Sequence, residues 1–367
     1  MTTDAEDSPS VRSTPGAPSR TRKVERAHGP LGFPCAPDPR PAALPPTNVP
    51  APVPVSVLAP QPPRVVTSST QRIGHGSIAV YAGADALAEL RDAGLRPERL
   101  RSFIAASGGP KWLVLHGIDR ALFPWLLQRA HAPLHVLGSS IGSWRAATLA
   151  TRDPLGQLEQ LCHTYIEQRF NAADARVLDA ALGPEGVAPL LSHPRLRLHI
   201  VTARTRLGLP IERVVFDADG EPAPFAPWQG LRTAHVPLTE LNALAALQAS
   251  AAMPAMMDGF GSEIDAADGF TLYPRVDPQL APGWLDKPLP WQRARGLRRT
   301  IVIAPSAQHL ASLPGGKLPD RNDFLTMSDR DRVIAWRHVV ALGHAMGYQL
   351  MELLESDRIR HVVQPLT

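Results

Sequence analysis

Leu134-His135-Val136-Leu137-Gly138-Ser139-Ser140-Ile141-Gly142-Ser143-Trp144-Arg145 joins a short leucine and valine run to a segment suited to a helix. The join is G-x-S-x-G with Ser140 at its centre, the pattern of a serine held on a tight strand-to-helix turn. Gly138 and Gly142 fit such a bend because side chains there would collide across it. A helix beginning at the bend turns its free N–H groups towards the serine, where acyl transfer develops negative charge. The plainer alternative is a βα turn that merely contains serines; the strand before and the helix after favour the nucleophile elbow.

A serine nucleophile needs amide donors for an oxyanion and a proton acceptor. Upstream, the apolar run 103–107 closes on Gly108-Gly109-Pro110, whose adjacent glycines would let backbone N–H groups face a ligand. In a parallel sheet the C-terminal strand ends share one edge, so this turn is expected to meet Ser140 there. It is not a Walker A loop, because Lys111 is followed by Trp112 and G-x-x-x-x-G-K is absent.

Working outward, strands are expected at 77–81, 103–107, 197–203, 213–216 and 300–305, the last a continuous apolar run of the kind buried on both faces. Helices are expected at 85–93, ended by Gly94, and from Trp112 onward as an amphipathic segment bent or shortened at Pro124. Further helices are expected at 144–150, 155–170, 239–252 and 331–355. This alternation predicts an α/β fold with a largely parallel sheet. Residues 1–72 are rich in Pro, Ser, Thr and Arg and are expected to form a solvated tail outside the folded unit, 73–367.

Hydrophobic residues make up 44% of the 367 and charged ones 20%, which suits a globular protein. The formal net charge of +4 comes without a dense basic stripe, so nucleic acid is not an expected partner. Two cysteines, Cys35 and Cys162, form neither a disulfide framework nor a C-x-x-C metal pattern. No apolar run reaches the length of a transmembrane helix, and no secretory h-region is visible. The expected setting is the cytoplasm, with peripheral contact to membranes for a lipid substrate.

Taken together, Ser107-Gly-Gly-Pro-Lys-Trp112-Leu and Gly138-Ser-Ser-Ile-Gly-Ser-Trp144-Arg resemble the patatin-like phospholipase family, in particular a bacterial branch. Ala249-Ser-Ala-Ala-Met-Pro254, Leu272-Tyr-Pro, Pro282-Gly-Trp-Leu-Asp-Lys287 and Leu313-Pro-Gly-Gly-Lys-Leu-Pro-Asp-Arg321 extend the likeness over about residues 75–350. The resemblance implies a three-layer α/β/α sandwich and a serine acyl hydrolase of lipase or phospholipase type, active in lipid degradation. It implies a Ser-Asp dyad with Ser140 as nucleophile, Gly108 and Gly109 as oxyanion hole, and no metal or cofactor.

The chain departs from the family at the aspartate, which belongs in a D-G-G or D-G-A turn. Here stand two D-G-F sequences, at Asp258 and Asp268. Asp268 has the spacing from Ser250 of ordinary patatins, with Asp258 the alternative. In the closer bacterial branch the D-G-G turn precedes an extra stretch that this chain lacks between Phe260 and Ala267. On that alignment the family base is deleted, leaving a pseudoenzyme or lipid-binding protein, and both aspartates are then turn residues. A lesser alternative is an α/β-hydrolase with a Ser-His-Asp triad, for which His309 is a better candidate than His338 or His344. Arg145 suits a helix-surface ion pair, or a phosphate or carboxylate head group.

Overall fold

The computed structural model describes residues 76–169, 175–207, 209–222, 232–252, 269–277 and 297–366. The expected tail and both D-G-F aspartates lie outside them. In chain order the strands are β1 (Ile78–Ala82), β2 (Leu100–Ala105), β3 (Leu134–Ser139), β4 (Leu196–Arg206), β5 (Leu209–Asp217), β6 (Arg232–Pro237), β7 (Phe270–Pro274), β8 (Thr300–Pro305) and β9 (Gln364–Pro365). The helices are α1 (Ala84–Ala93), α2 (His116–Arg129), α3 (Ile141–Leu149), α4 (Pro154–Glu167), α5 (Ala175–Leu182), α6 (Ala188–Ser192), α7 (Glu240–Ala251), α8 (Ala307–Ser312), α9 (Asp323–Thr326), α10 (Asp329–Glu355) and α11 (Ile359–Val362).

The strands form one sheet in the order β6-β5-β4-β3-β2-β7-β8-β1-β9. Six of its eight pairings are parallel; β4–β5 and β1–β8 are antiparallel. The fold is therefore α/β, a three-layer sandwich around a largely parallel sheet. The central strands β2, β3, β7 and β8 are buried almost throughout, which is why their sequences read as apolar runs rather than alternations. Among the described residues no helix is long and apolar enough to cross a membrane.

The segment after Gly108 departs from the expected single amphipathic helix. Residues 109–115 form a 3-10 turn, and α2 then runs through Pro124 without stopping. Its buried residues (His116, Ile118, Asp119, Leu122, Phe123, Trp125, Leu126) face several directions, because α2 is packed on more than one side. Phe123 meets Phe103 of β2 edge to face at 6.3 Å, and α10 crosses α2 so closely that Gly117, Gly343 and Gly347 leave no room for a Cβ. Packing on that scale outweighs the cost of a proline inside a helix, about 3 kcal/mol.

A polar ribbon ties the four strands at one end of the sheet. His199 (β4) and His235 (β6) donate through Nδ1 to the two carboxylate oxygens of Asp217 (β5), at 2.6 and 2.7 Å. His135 (β3) joins Nε2 of His199 at 2.9 Å. His199 lies opposite Leu137 and Asp217 in the ladder, which puts all four side chains on one face.

Candidate functional site

Ser140 sits between the last residue of β3 and the first of α3, with φ 52° and ψ −134°. That conformation is disfavoured for a residue with a side chain and persists only where the surroundings enforce it. The enforcement is visible. The Ser140 N–H donates to Ser250 Oγ at 2.8 Å, and Ser250 Oγ donates to the Val201 carbonyl at 2.7 Å. Ser143 Oγ donates to the Ser140 carbonyl at 2.7 Å.

The two glycines of the motif are demanded by close approach. A Cβ on Gly138 would lie 2.5 Å from the Gly142 carbonyl oxygen, and one on Gly142 would lie 2.1 Å from that of Ala105. The bend is thus pressed against the end of β2. Ala105 pairs with Gly138, so the turn after β2 and Ser140 leave the sheet at the same edge, as expected. There Gly108 and Gly109 take φ 129° and 54° in succession, backbone that a side chain would resist. Ser140 itself keeps only 9% of its surface, so it is buried rather than set out on open surface.

Arg145 differs from both of its expected roles. It is fully buried, donates through Nε and Nη2 to Asp119 at 2.7 Å each, and gives Nη1 to the Ala106 carbonyl at 2.7 Å. One guanidinium therefore joins α3, α2 and the turn leading to Gly108. Burial pushes the Asp119 carboxyl up while Arg145 pulls it down. Two further cations border the glycine turn. The stem of Lys111 flanks Gly108, and Arg321 brings Nε to 3.5 Å from where a Cβ on Gly109 would lie. Their field favours negative charge at that turn.

Of the expected acids, Asp258 and Asp268 lie outside the described residues. Gly269, which follows Asp268, is described and precedes β7 at the edge opposite Ser140, since Phe270 pairs with Leu100 at the start of β2. At the other end of β7, Asp277 is exposed and stands on the Ser140 edge, two strands from β3. No sequence motif marked it, because it lacks a following glycine.

His309 is buried in α8, its Nε2 unpartnered and its basicity lowered by burial. It follows β8, three strands from β3, or about 14 Å at ordinary strand spacing. His338 and His344 lie on α10, where His344 stacks near His116. Trp112, Trp144 and Trp336 are core residues, as their size leads one to expect. Among the described residues no cluster of His, Cys, Asp or Glu has the makings of a metal site. A cavity of about 660 Å³ opens at the other end of α3, lined by Thr151, Arg152 and Arg195 among others.

No protein-family model, curated protein or solved structure matches this chain.

Proposed function

We propose that the protein is a serine acyl hydrolase that cleaves carboxylic esters of lipids through an acyl-enzyme on Ser140, in the manner of the patatin-like phospholipases it resembles. The observation that carries this reading is the backbone of Ser140, φ 52° and ψ −134°, held at a strand-to-helix bend beside two consecutive positive-φ glycines. Strain of that kind is costly and clusters at functional sites.

In this mechanism Ser140 Oγ attacks the ester carbonyl carbon while its proton passes to an aspartate. The carbonyl π pair moves onto oxygen, where amides around Gly108 and Gly109 hold it, helped by Lys111 and Arg321. Collapse expels the alcohol, which takes the proton, and leaves the acyl group on Oγ. Water then attacks, its proton going to the same aspartate, and the acid departs as Ser140 regains its hydrogen. The chemistry calls for no metal or cofactor.

Asp268, with Asp258 as its alternative, is the acceptor that the resemblance names, and Asp277 on the Ser140 edge is a further candidate. A fluorophosphonate probe is expected to label Ser140, and Ser140→Ala to lower hydrolysis of a short-chain p-nitrophenyl ester at least ~1,000-fold. Undiminished turnover by Ser140→Ala would overturn the proposal. Among Asp258→Asn, Asp268→Asn and Asp277→Asn, the variant that matches the Ser140→Ala loss identifies the acceptor.

The second reading, a patatin-fold protein that binds lipid without hydrolysing it, is favoured by the missing D-G-G or D-G-A turn. It holds if the wild-type protein is neither labelled nor active.

A further inference from the structure

The β4–β5 hairpin reaches well past β3, with β6 beside it as far as Glu212. The last residue of β3, Ser139, pairs with Val201, yet β4 continues to Arg206. Those five further residues rise about 16 Å beyond the edge where Ser140 sits. β4 ends at Arg206 and β5 begins at Leu209, and the sequence Leu207-Gly208-Leu209-Pro210-Ile211 carries no charge.

Leu207 occupies φ 51° and is 96% exposed. Hairpin turns of this length want Asn, Asp or Gly at a positive φ. A leucine there gains no burial in the fold and is conformationally disfavoured. Ile211, 47% exposed, falls where the β4–β5 register shifts between Arg204 and Thr205, a bulge of the kind that re-aims a side chain. Both choices work against folding, so their use lies outside the fold.

The collar below the tip is basic. Arg204 and Arg206 lie on β4, Arg213 on β5 and Arg232 at the start of β6 beside Glu212. Glu212 is the single acid among positions 204–213 and it pairs with Arg204. An apolar tip above an arginine collar matches a bilayer with anionic head groups: leucine and isoleucine enter the acyl boundary while arginines meet phosphates. A protein partner would more often call for a shaped groove than for a narrow projecting tip.

We infer that the β4–β5 hairpin is a membrane-docking arm, which seats Leu207 and Ile211 in an anionic lipid surface and turns the Ser140 edge towards it. This deepens the lipid-hydrolase proposal and rests on it for the use of the arm, but the binding itself is separately testable.

The experiment uses the full chain with vesicles of phosphatidylcholine alone or with 30% phosphatidylglycerol, read by co-sedimentation, with hydrolysis of a soluble short-chain ester measured in parallel. The wild type is expected to bind the anionic vesicles, and more weakly at 0.5 M salt. Leu207→Asn combined with Ile211→Thr is expected to bind at least tenfold more weakly. Asn suits the turn better than Leu, so the thermal midpoint should hold or rise and soluble-ester turnover should stay unchanged. Arg204→Gln with Arg206→Gln should remove most of the preference for phosphatidylglycerol. Wild type that hydrolyses the ester but ignores vesicles overturns the arm and leaves the hydrolase standing. Wild type that binds vesicles through the tip but neither hydrolyses nor is labelled does the reverse. Tip variants that bind as wild type overturn the arm, whether the N-terminal tail carries the binding or the tip is covered by a second copy.

Discussion

At Arg145 the sequence offers a position one turn into a helix beside a serine motif, and a surface ion pair or a head-group contact is the natural expectation. The partner that makes it a buried tie, Asp119, lies 26 residues earlier on another helix with no motif around it. Pairings of this kind depend on how helices cross, which local spacing does not encode. Removing one partner strands a buried charge, so Asp119→Ala is expected to cost about 3–5 kcal/mol in denaturant unfolding. Asp119→Leu with Arg145→Met should recover much of that loss yet lower ester turnover, because the Ala106 carbonyl loses its donor and the glycine turn its support. Equal stability for wild type and Asp119→Ala would show that the pair is not structural. By contrast, Ser140, Gly138, Gly142, Gly108 and Gly109 were legible, since each is a glycine or serine placed by backbone constraints within a few residues.

The elements separate in the same way. Regular βα alternation around β2, β3, α3, α7 and β8 is visible as apolar runs and periodicity. The strand β6 is not, because an edge strand with exposed and half-buried residues shows no clean alternation. The hairpin β4–β5 is longer at its tip than its apolar residues alone indicate, and the helix α2 runs on through a proline that local rules would have bend or shorten it. The crossing of α2 and α10 explains that continuity and can be tested. A Cβ on Gly117 would lie 2.1 Å from the Gly343 carbonyl oxygen, and one on Gly347 would lie 2.1 Å from that of Gly117. Backbone atoms cannot yield as flexible side chains do, so the helices must separate. Gly117→Ala or Gly347→Ala is expected to destabilise by about 1–3 kcal/mol or more, seen as a lower urea midpoint with little change in its slope. A midpoint equal to wild type would mean that the two helices do not touch there.

At the scale of the whole molecule, one buried and one half-buried histidine set an acid limit on stability. His116 is enclosed by Trp112 and His344, with ring centres at 6.2 and 5.6 Å, and burial chiefly pushes its pKa down to about 3. His344, Arg120 and Arg145 push the same way, while Glu159, half exposed with Oε2 3.5 Å from Nε2, does not offset them. Burial likewise takes His135 down to about 4, aided by His199 and Arg197 and opposed by Asp217. Unfolded histidines titrate near 6.5, so between about pH 6.5 and pH 3 the unfolded chain binds more protons. The stability these two groups leave intact above that window is therefore lost progressively as pH falls through it. His116→Phe should flatten the decline in thermal midpoint between pH 6.5 and 4.5; an unchanged profile would remove His116 from this account.

The ribbon of His135, His199, Asp217 and His235 has a mechanical meaning for the hairpin that shares its strands. Sliding β5 by one position would turn Asp217 to the opposite face and strand both imidazoles, so the four strands are pinned against shear as well as hydrogen-bonded. The hairpin is consequently a spar bolted to the strand that leads to Ser140, and on the proposed docking to lipid the height of the serine above the bilayer follows from the length of that spar.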